Sequence, residues 1–105
     1  MVFAVVLAPS AVTQLRELRA NVFAEVRDAM DRHLRHEPTK VSKSRIKRLR
    51  GLQQPQYRLR VGDVRVYYDV VGQNVEVLAV LTKARAAAWL KEKGVPSEEG
   101  GTGEG

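Results

Sequence analysis

Cysteine is missing from this chain of 105 residues, which excludes disulfide bonds and thiolate metal sites. That lack suits a reducing cytoplasm, and we predict a cytoplasmic protein. No apolar run is long enough to span a bilayer, since the opening run over residues 1–8 stops at Pro9. The run also lacks the positive segment of a secretory signal. A buried strand over residues 2–8 explains it better, and we predict no membrane contact.

Several catalytic patterns are missing too. The sequence holds no Ser-His-Asp arrangement, Walker-type loop, dinucleotide-binding glycine pattern or internal repeat. His33 and His36 adjoin Glu37, but no further metal ligand accompanies them. We therefore predict a protein without metal or cofactor.

Acidic residues are absent between Glu37 and Asp63, in a chain whose net charge is +6. Eight basic residues lie in this interval, namely Lys40, Lys43, Arg45, Lys47, Arg48, Arg50, Arg58 and Arg60. Such a block favours a polyanion, whether nucleic acid, an acidic protein or an anionic membrane surface. A solvated basic face that serves only solubility is the alternative.

Hydrophobic periodicity predicts one α+β domain over residues 1–95, with the element order β-α-α-β-β-β-α. Apolar residues at helical spacing follow the first strand and predict a helical hairpin, N-capped by Ser10 and broken at Ala20-Asn21. Residues 36–55 show no clear period and are predicted to be an irregular connection.

The second half of the domain is predicted from three strands and a helix. Two alternating strands and the more apolar strand over residues 75–81 complete a small, mainly antiparallel, four-stranded sheet. A closing helix over residues 83–94 is expected to turn Ala87, Leu90 and Trp89 towards the sheet and to end at Gly94. Residues 96–105 form an acidic, Gly-rich tail that we predict to be disordered.

The two alternating strands predict a β-hairpin around a Gly62-Asp63 turn. One face carries Tyr57, Leu59, Val61, Val64, Val66 and Tyr68, and should be buried. The other face gathers Arg58, Arg60 and Arg65 with Tyr67 and Asp69. Three guanidiniums on one patch repel each other, and phosphates would relieve that repulsion through bidentate hydrogen bonds. Two alternatives stay open: a polar face that simply meets water, and neutralisation of the cluster by Asp69.

The residues of this hairpin carry a family resemblance. The string Arg48-Leu49-Arg50-Gly51-Leu52, followed by Tyr57-Arg-Leu-Arg-Val-Gly-Asp-Val-Arg-Val-Tyr-Tyr-Asp69, resembles the RelE/ParE toxins of bacterial toxin–antitoxin systems. The family pattern is a "KLRG" turn, a basic strand and a return strand that contains an arginine. Residues 75–85 are similar to the last strand and the basic residues after it. The resemblance covers about residues 2–94 and implies a RelE-like fold.

In the RelE branch, the resemblance implies a ribosome-dependent endoribonuclease that cleaves mRNA in the ribosomal A site by attack of the 2′-hydroxyl. By position, Arg58 and Arg60 match basic strand residues, and Arg65 matches the arginine at the scissile phosphate. Lys83 or Arg85 matches the basic residue after the last strand. Further RNA contacts are expected at Lys43, Lys47, Arg48, Arg50, Tyr67 and Asp69. The resemblance also implies a cognate antitoxin, bound in a hetero-oligomer of the two chains.

Two departures from the family pattern bear on catalysis. Arginine is a poor general base, so arginine at both strand positions leaves Lys83 and Asp69 for proton transfer. After Arg85 the chain has alanines and Trp89 where many relatives place a tyrosine or histidine. Two other functions therefore stay open: a ParE-like inhibitor of DNA gyrase without nuclease activity, and a non-catalytic nucleic-acid-binding module.

Overall fold

The computed structural model describes residues 2–97 of the chain. The helices are α1 (Pro9–Arg16), α2 (Ala20–Ala29), which continues as a π-helical turn over Met30–Leu34, and α3 (Lys83–Lys93). The strands are β1 (Ala4–Leu7), β2 (Ile46–Arg48), β3 (Leu52–Gln54), β4 (Tyr57–Val61), β5 (Val64–Val71), β6 (Asn74–Thr82) and β7 (Val95–Pro96). The predicted α+β class, the N-terminal helical hairpin and the C-terminal helix are confirmed. The break between the first two helices was predicted at Ala20-Asn21, but it lies at residues 17–19.

The main sheet has five strands in the order β1-β6-β5-β4-β2. Only the β1–β6 pair is parallel, and the other pairs are antiparallel. The predicted sheet had only four strands, and the strand missing from the prediction is the edge strand β2. Residues 36–55 were predicted to be irregular, but they contain β2 and β3, and β3 pairs with β7 in a separate two-stranded sheet. β2 and β3 have three residues each and β7 has two, which is too short for an alternating hydrophobic pattern to show. Each of them also depends on a partner strand elsewhere in the chain.

The start of the first helix differs from its prediction. The N-cap is Ala8, and Pro9 occupies the first helical turn, where its fixed φ is already helical and its missing N–H is not needed. Ser10 does not cap the helix, because its Oγ donates a hydrogen bond to the Leu78 carbonyl at 3.0 Å. That contact ties α1 to β6.

Two hydrophobic cores lie on opposite faces of the main sheet. The larger core packs α1 and α2 against the apolar faces of β4, β5 and β6 and includes Leu15, Val26 and Leu34. The smaller core lies under α3 and comprises Tyr67, Ala79, Leu81 and Ala86, with Leu49, Trp89 and Leu90 packed around it. We predicted that Ala87 faces the sheet, but Ala86 does so and Ala87 is exposed. Because residues 86–88 are all alanine, the sequence pattern could not show which of them faces the sheet.

Gly94 follows α3 as predicted, but its backbone is extended, with φ at −66° and ψ at 139°. The reason for glycine is close approach, because a Cβ at this position would lie 2.5 Å from the Leu90 carbonyl oxygen and 3.2 Å from Leu52 Cδ2. The chain then enters β7, and Ser97 N donates to Gly51 O at 3.1 Å. The predicted disordered tail falls mostly on residues 98–105, outside the described residues.

Gly94→Ala is therefore expected to lower the free energy of unfolding by about 1–3 kcal/mol, the usual cost of forcing an extra carbon into a packed site. Chemical denaturation of the variant measures this loss. Lys93→Ala, at the neighbouring exposed position, is the control and should unfold like the unchanged chain. Equal stability of the Gly94 variant would contradict the close approach.

Candidate functional site

The hairpin of β4 and β5 is formed as the alternating sequence predicts. Gly62 supplies the positive φ of 57° that the tight turn needs. The register pairs Arg58 with Tyr67 and Arg60 with Arg65. Because paired residues on neighbouring antiparallel strands share a face, this register places the three arginines on one side of the sheet. The six apolar residues of the other face are buried against the helical hairpin, as predicted.

The arginine face is more enclosed than a solvent-facing strand surface. Arg65, Tyr67 and Asp69 are only 7%, 2% and 4% exposed. Helix α3 covers Tyr67, since Trp89 stacks on the Tyr67 ring with 5.2 Å between the ring centroids. Trp89 is thus a packing residue, as we predicted. The alternation of β5 could not reveal this cover, because the covering helix comes from another part of the chain.

The arginine cluster, Arg58, Arg60 and Arg65, concentrates positive charge on one face of the sheet. Arg65 Nη1 donates to the carbonyls of Gly62 and Val64, at 2.9 and 3.2 Å. Burial, and then the charges of Arg58 and Arg60, lower the pKa of Arg65, against smaller opposing effects from Tyr67 and Asp63. No acidic side chain within residues 2–97 forms a salt bridge with any of the three.

Arg58 contributes an unusual donor to the cluster. Its Nε is buried and has no hydrogen-bond partner among the described residues. A buried donor without a partner costs about 1–3 kcal/mol, so a native structure seldom keeps one without a reason.

Asp69 does not neutralise the cluster. Its carboxylate accepts hydrogen bonds from Gln54 Nε2 at 2.7 Å and from the backbone N–H of Gln56 at 2.8 Å. Gln56 Oε1 in turn accepts from Val70 N at 2.9 Å. Asp69 therefore holds the segment between β3 and β4 against β5. The glutamines that precede the hairpin in the sequence indicate possible hydrogen-bond partners for Asp69. Their spacing does not show which of them contacts it.

Of the predicted RNA contacts on β2, the register brings Lys47 to the arginine cluster. Lys47 pairs with Arg58 across the β2–β4 ladder and is exposed. Arg48 is the next residue along the strand and is directed elsewhere: its guanidinium lies 5.1 Å from the Tyr57 ring centroid and donates to Tyr57 Oη at 3.2 Å. Lys43 and Arg50 are exposed on either side of β2.

The two predicted basic residues after the last strand lie apart from each other. The Lys83 N–H donates to the Asp63 carbonyl at 2.8 Å, which fixes the start of α3 beside the hairpin turn. The Lys83 side chain is exposed there. Arg85 lines a cleft of about 680 Å³ between α1 and β6, together with Ser10, Thr13 and Glu17. Lys83 is therefore the better placed of the two for chemistry at the hairpin.

Tyr67 lies on the same face as the arginine cluster, and the titration of its phenol provides a test of the burial of this residue. Burial raises the pKa of Tyr67 from its ordinary value of 10.0, although Arg58 and Arg65 oppose the rise. Above pH 10 the unfolded chain loses this proton before the folded chain does, so stability falls as the pH rises further. Urea denaturation between pH 8 and pH 11 should show the fall, and Tyr67→Phe should make it shallower. An unchanged slope in that variant would argue against the burial.

The comparisons with known proteins agree on a toxin fold. A family model described as the ParE toxin of type II toxin–antitoxin systems matches residues 5–87. An archaeal RelE–RelB complex from Pyrococcus horikoshii OT3 contains a similar chain, with 27% identity and a TM-score of 0.58, over 81% of this chain and 99% of that one. No curated protein gives a significant match.

Two further solved structures share the fold. The toxin–antitoxin complex RelBE2 from Mycobacterium tuberculosis has 24% identity and a TM-score of 0.60, over 78% of this chain and 99% of that one. A double variant of the Escherichia coli toxin RelE in the free state has 19% identity and a TM-score of 0.55, over 88% and 94%. Within residues 2–97, no helix has the length and apolar character to span a membrane.

Proposed function

The chain belongs to the ParE toxin family of type II toxin–antitoxin systems, and from this premise we propose that it is a ribosome-dependent endoribonuclease that cleaves mRNA and inhibits translation. The observation that carries the proposal is the arginine cluster, three guanidiniums on one face of the hairpin that form no salt bridge with an acidic side chain of residues 2–97. Such a site suits a phosphodiester. RNA can be cleaved without a metal by attack of its own 2′-hydroxyl on the adjacent phosphorus. That reaction needs cationic donors of this kind at the phosphate.

In the proposed reaction, the 2′-oxygen attacks the adjacent phosphorus and gives up its proton. The bond from phosphorus to the 5′-oxygen breaks, that oxygen takes up a proton, and a 2′,3′-cyclic phosphate remains. Negative charge on the non-bridging oxygens grows in the transition state. Arg65, Arg60 and Arg58 would bind those oxygens, and fixed donors of this kind contribute most where water is excluded.

Proton transfer needs a different group, because arginine holds its proton too firmly. Of the two remaining residues, Asp69 is buried and already accepts two hydrogen bonds. Lys83 is exposed at the start of α3, beside the hairpin turn. We therefore assign the proton-transfer role to Lys83 in this mechanism and treat Asp69 as a structural residue.

The mRNA is the proposed substrate, and the ribosomal A site is the proposed place of cleavage. The partner of the toxin is a cognate antitoxin, in line with the solved toxin–antitoxin complexes that share its fold. An acidic antitoxin segment that covers the arginine cluster would block RNA. The cytoplasm, which contains the ribosome, is the proposed location.

Mapping of mRNA 5′ ends after induction of the toxin tests the proposal. We expect new ends within coding sequences, phased with the codons, that appear before growth stops. Co-expression of the antitoxin should remove them. Growth arrest with intact mRNA would overturn the nuclease.

The matching family model is named for ParE, and the resemblance to ParE-like toxins implies a second candidate function, inhibition of DNA gyrase. A gyrase inhibitor acts by binding and needs no arranged phosphate site. Induction would then trigger the DNA-damage response and stabilise gyrase–DNA cleavage complexes, while mRNA stays whole. The same induced culture, probed for both outcomes, separates the two functions.

A further inference from the structure

A second cationic hollow lies on the other side of the β2 edge from the arginine cluster. Its volume is about 250 Å³, and its lining includes His33, Lys40, Ser42, Ser44 and Arg45. Ile46 also lines it and belongs to the core beneath the helical hairpin, so the hollow opens on the helix side of the sheet. The sequence offered no reason to group these residues, because His33 ends a helix and the others follow in the loop before β2.

Positive charge exceeds negative charge around this hollow. The pKa of His33 is lowered first by burial and then by the charges of Arg45 and Arg32, and is only partly restored by Glu37. Glu37 is the acid of the lining, and Lys40 Nζ already lies 3.7 Å from its carboxylate. Arg45 thus stays without an acidic partner among the described residues.

The hydroxyl groups add hydrogen-bond donors. Ser42 Oγ accepts from the backbone N–H groups of Arg45 and Ile46, at 3.0 and 3.4 Å. These two bonds fix the turn and leave the Ser42 hydroxyl hydrogen to be donated elsewhere. Ser44 provides a second hydroxyl in the same lining. Hydroxyls, an imidazole and basic side chains around one hollow are the usual donors to phosphate oxygens.

The hollow and the arginine cluster are joined by one backbone hydrogen bond. Arg60 N donates to Arg45 O at 2.9 Å, so Arg60 of β4 lies beside Arg45, the residue that precedes β2. Lys47 is exposed on the same short strand and shares the arginine face. A flexible polyanion could therefore follow basic residues from one side of the sheet, around its edge, to the other.

We propose that this hollow binds a backbone phosphate of the same RNA that Arg58, Arg60 and Arg65 hold at another phosphodiester. The ligand class is a phosphate diester, and the hollow serves binding rather than bond cleavage. This inference rests on the proposed function, since it takes RNA as the polyanion. It extends the contact surface to residues that the hairpin motif does not include.

Histidine NMR provides the test, because the chain has only His33 and His36. The Hε1 signals of the purified toxin are followed against pH with and without inorganic phosphate, at constant ionic strength. Phosphate should raise the pKa of His33 and leave the signals of His36, which is exposed, nearly unchanged. Arg45→Gln should weaken phosphate binding about two- to fivefold, the range for one exposed charged contact. Lys91→Gln, which removes an exposed charge on α3 that does not line the hollow, should have no such effect.

RNA is then tested with unphosphorylated oligoribonucleotides of increasing length. Short ones should shift only signals of the hairpin, and longer ones should also shift His33. No response of His33 to phosphate would overturn the site, and a response to phosphate but to no RNA would overturn the assignment to RNA. These readouts need neither ribosome nor cleavage. If His33 responds to RNA while induced cells keep intact mRNA, the proposed nuclease function fails and the binding site stands.

Discussion

Arg65→Ala is expected to reduce mRNA cleavage by about 10²–10³-fold, the typical loss when one fixed donor to a transition-state oxygen is removed. Stability should change little, by about 1 kcal/mol or less, because two opposing effects meet at this residue. The variant loses two hydrogen bonds to backbone carbonyls. It also loses a buried cation that lies close to Arg58 and Arg60. Cleavage is measured by 5′-end mapping after induction, and stability by urea denaturation of the purified chain.

Two further variants sharpen this result. Arg65→Lys keeps the charge but loses the planar fork of donors, so it should recover only part of the activity. Arg32→Ala removes an exposed arginine that pairs with Asp28 on the helix surface, and should leave cleavage unchanged. Full cleavage by the folded Arg65→Ala protein would show that the cluster does not stabilise the transition state.

Asp69→Ala should behave in the opposite way, with a large loss of stability and no specific loss of chemistry. We expect the free energy of unfolding to fall by about 2–4 kcal/mol, because a buried charged acceptor is removed and two donors lose their partner. The β3–β4 segment should loosen from β5. Urea denaturation measures the fall, and cleavage per folded molecule should stay within a few-fold of the unchanged toxin.

The matched control is Asp63→Ala on the same hairpin, because Asp63 is exposed at the turn. Asp69→Asn keeps one acceptor oxygen and should lose less stability than Asp69→Ala. If Asp69→Ala were as stable as the unchanged chain but inactive, Asp69 would be a proton-transfer residue and its structural assignment would be wrong.

The hairpin was predictable because its information is local. Alternation over eight residues of β5, with Gly62 at a tight turn, fixes the strands, their register and the face of each arginine. The cover over that face was not predictable, because Trp89 reaches Tyr67 only after α3 has folded back on the sheet. A period-two pattern reports which residues share a side but not what lies above them.

The same distinction applies to the charged residues. Composition located the basic block, but the register of β2 decides that Lys47 joins the arginine cluster while Arg48 contacts Tyr57. Asp69 looked like a partner for arginine because both lie on one face. Its choice of Gln54 and Gln56 depends on how residues between β3 and β4 cross β5. Side-chain contacts between segments that meet only in the folded state cannot be predicted from the local sequence pattern.

The short pairing of β7 with β3 has a consequence for the dynamics of the arginine face. The start of α3 is continuous with the interior strand β6. Its end is held by this pair, by the packing of Trp89 and Leu90 on the smaller core, and by the bond from Ser97 to Gly51. Local unfolding should therefore begin at the C-terminal end of α3. Amide hydrogens of residues 94–97 would exchange with solvent sooner than those of β5 and β6. Tyr67 thus becomes exposed by partial unfolding of the C-terminal end of α3. The stability of the small β3–β7 sheet, and not that of the five-stranded main sheet, sets how often this happens.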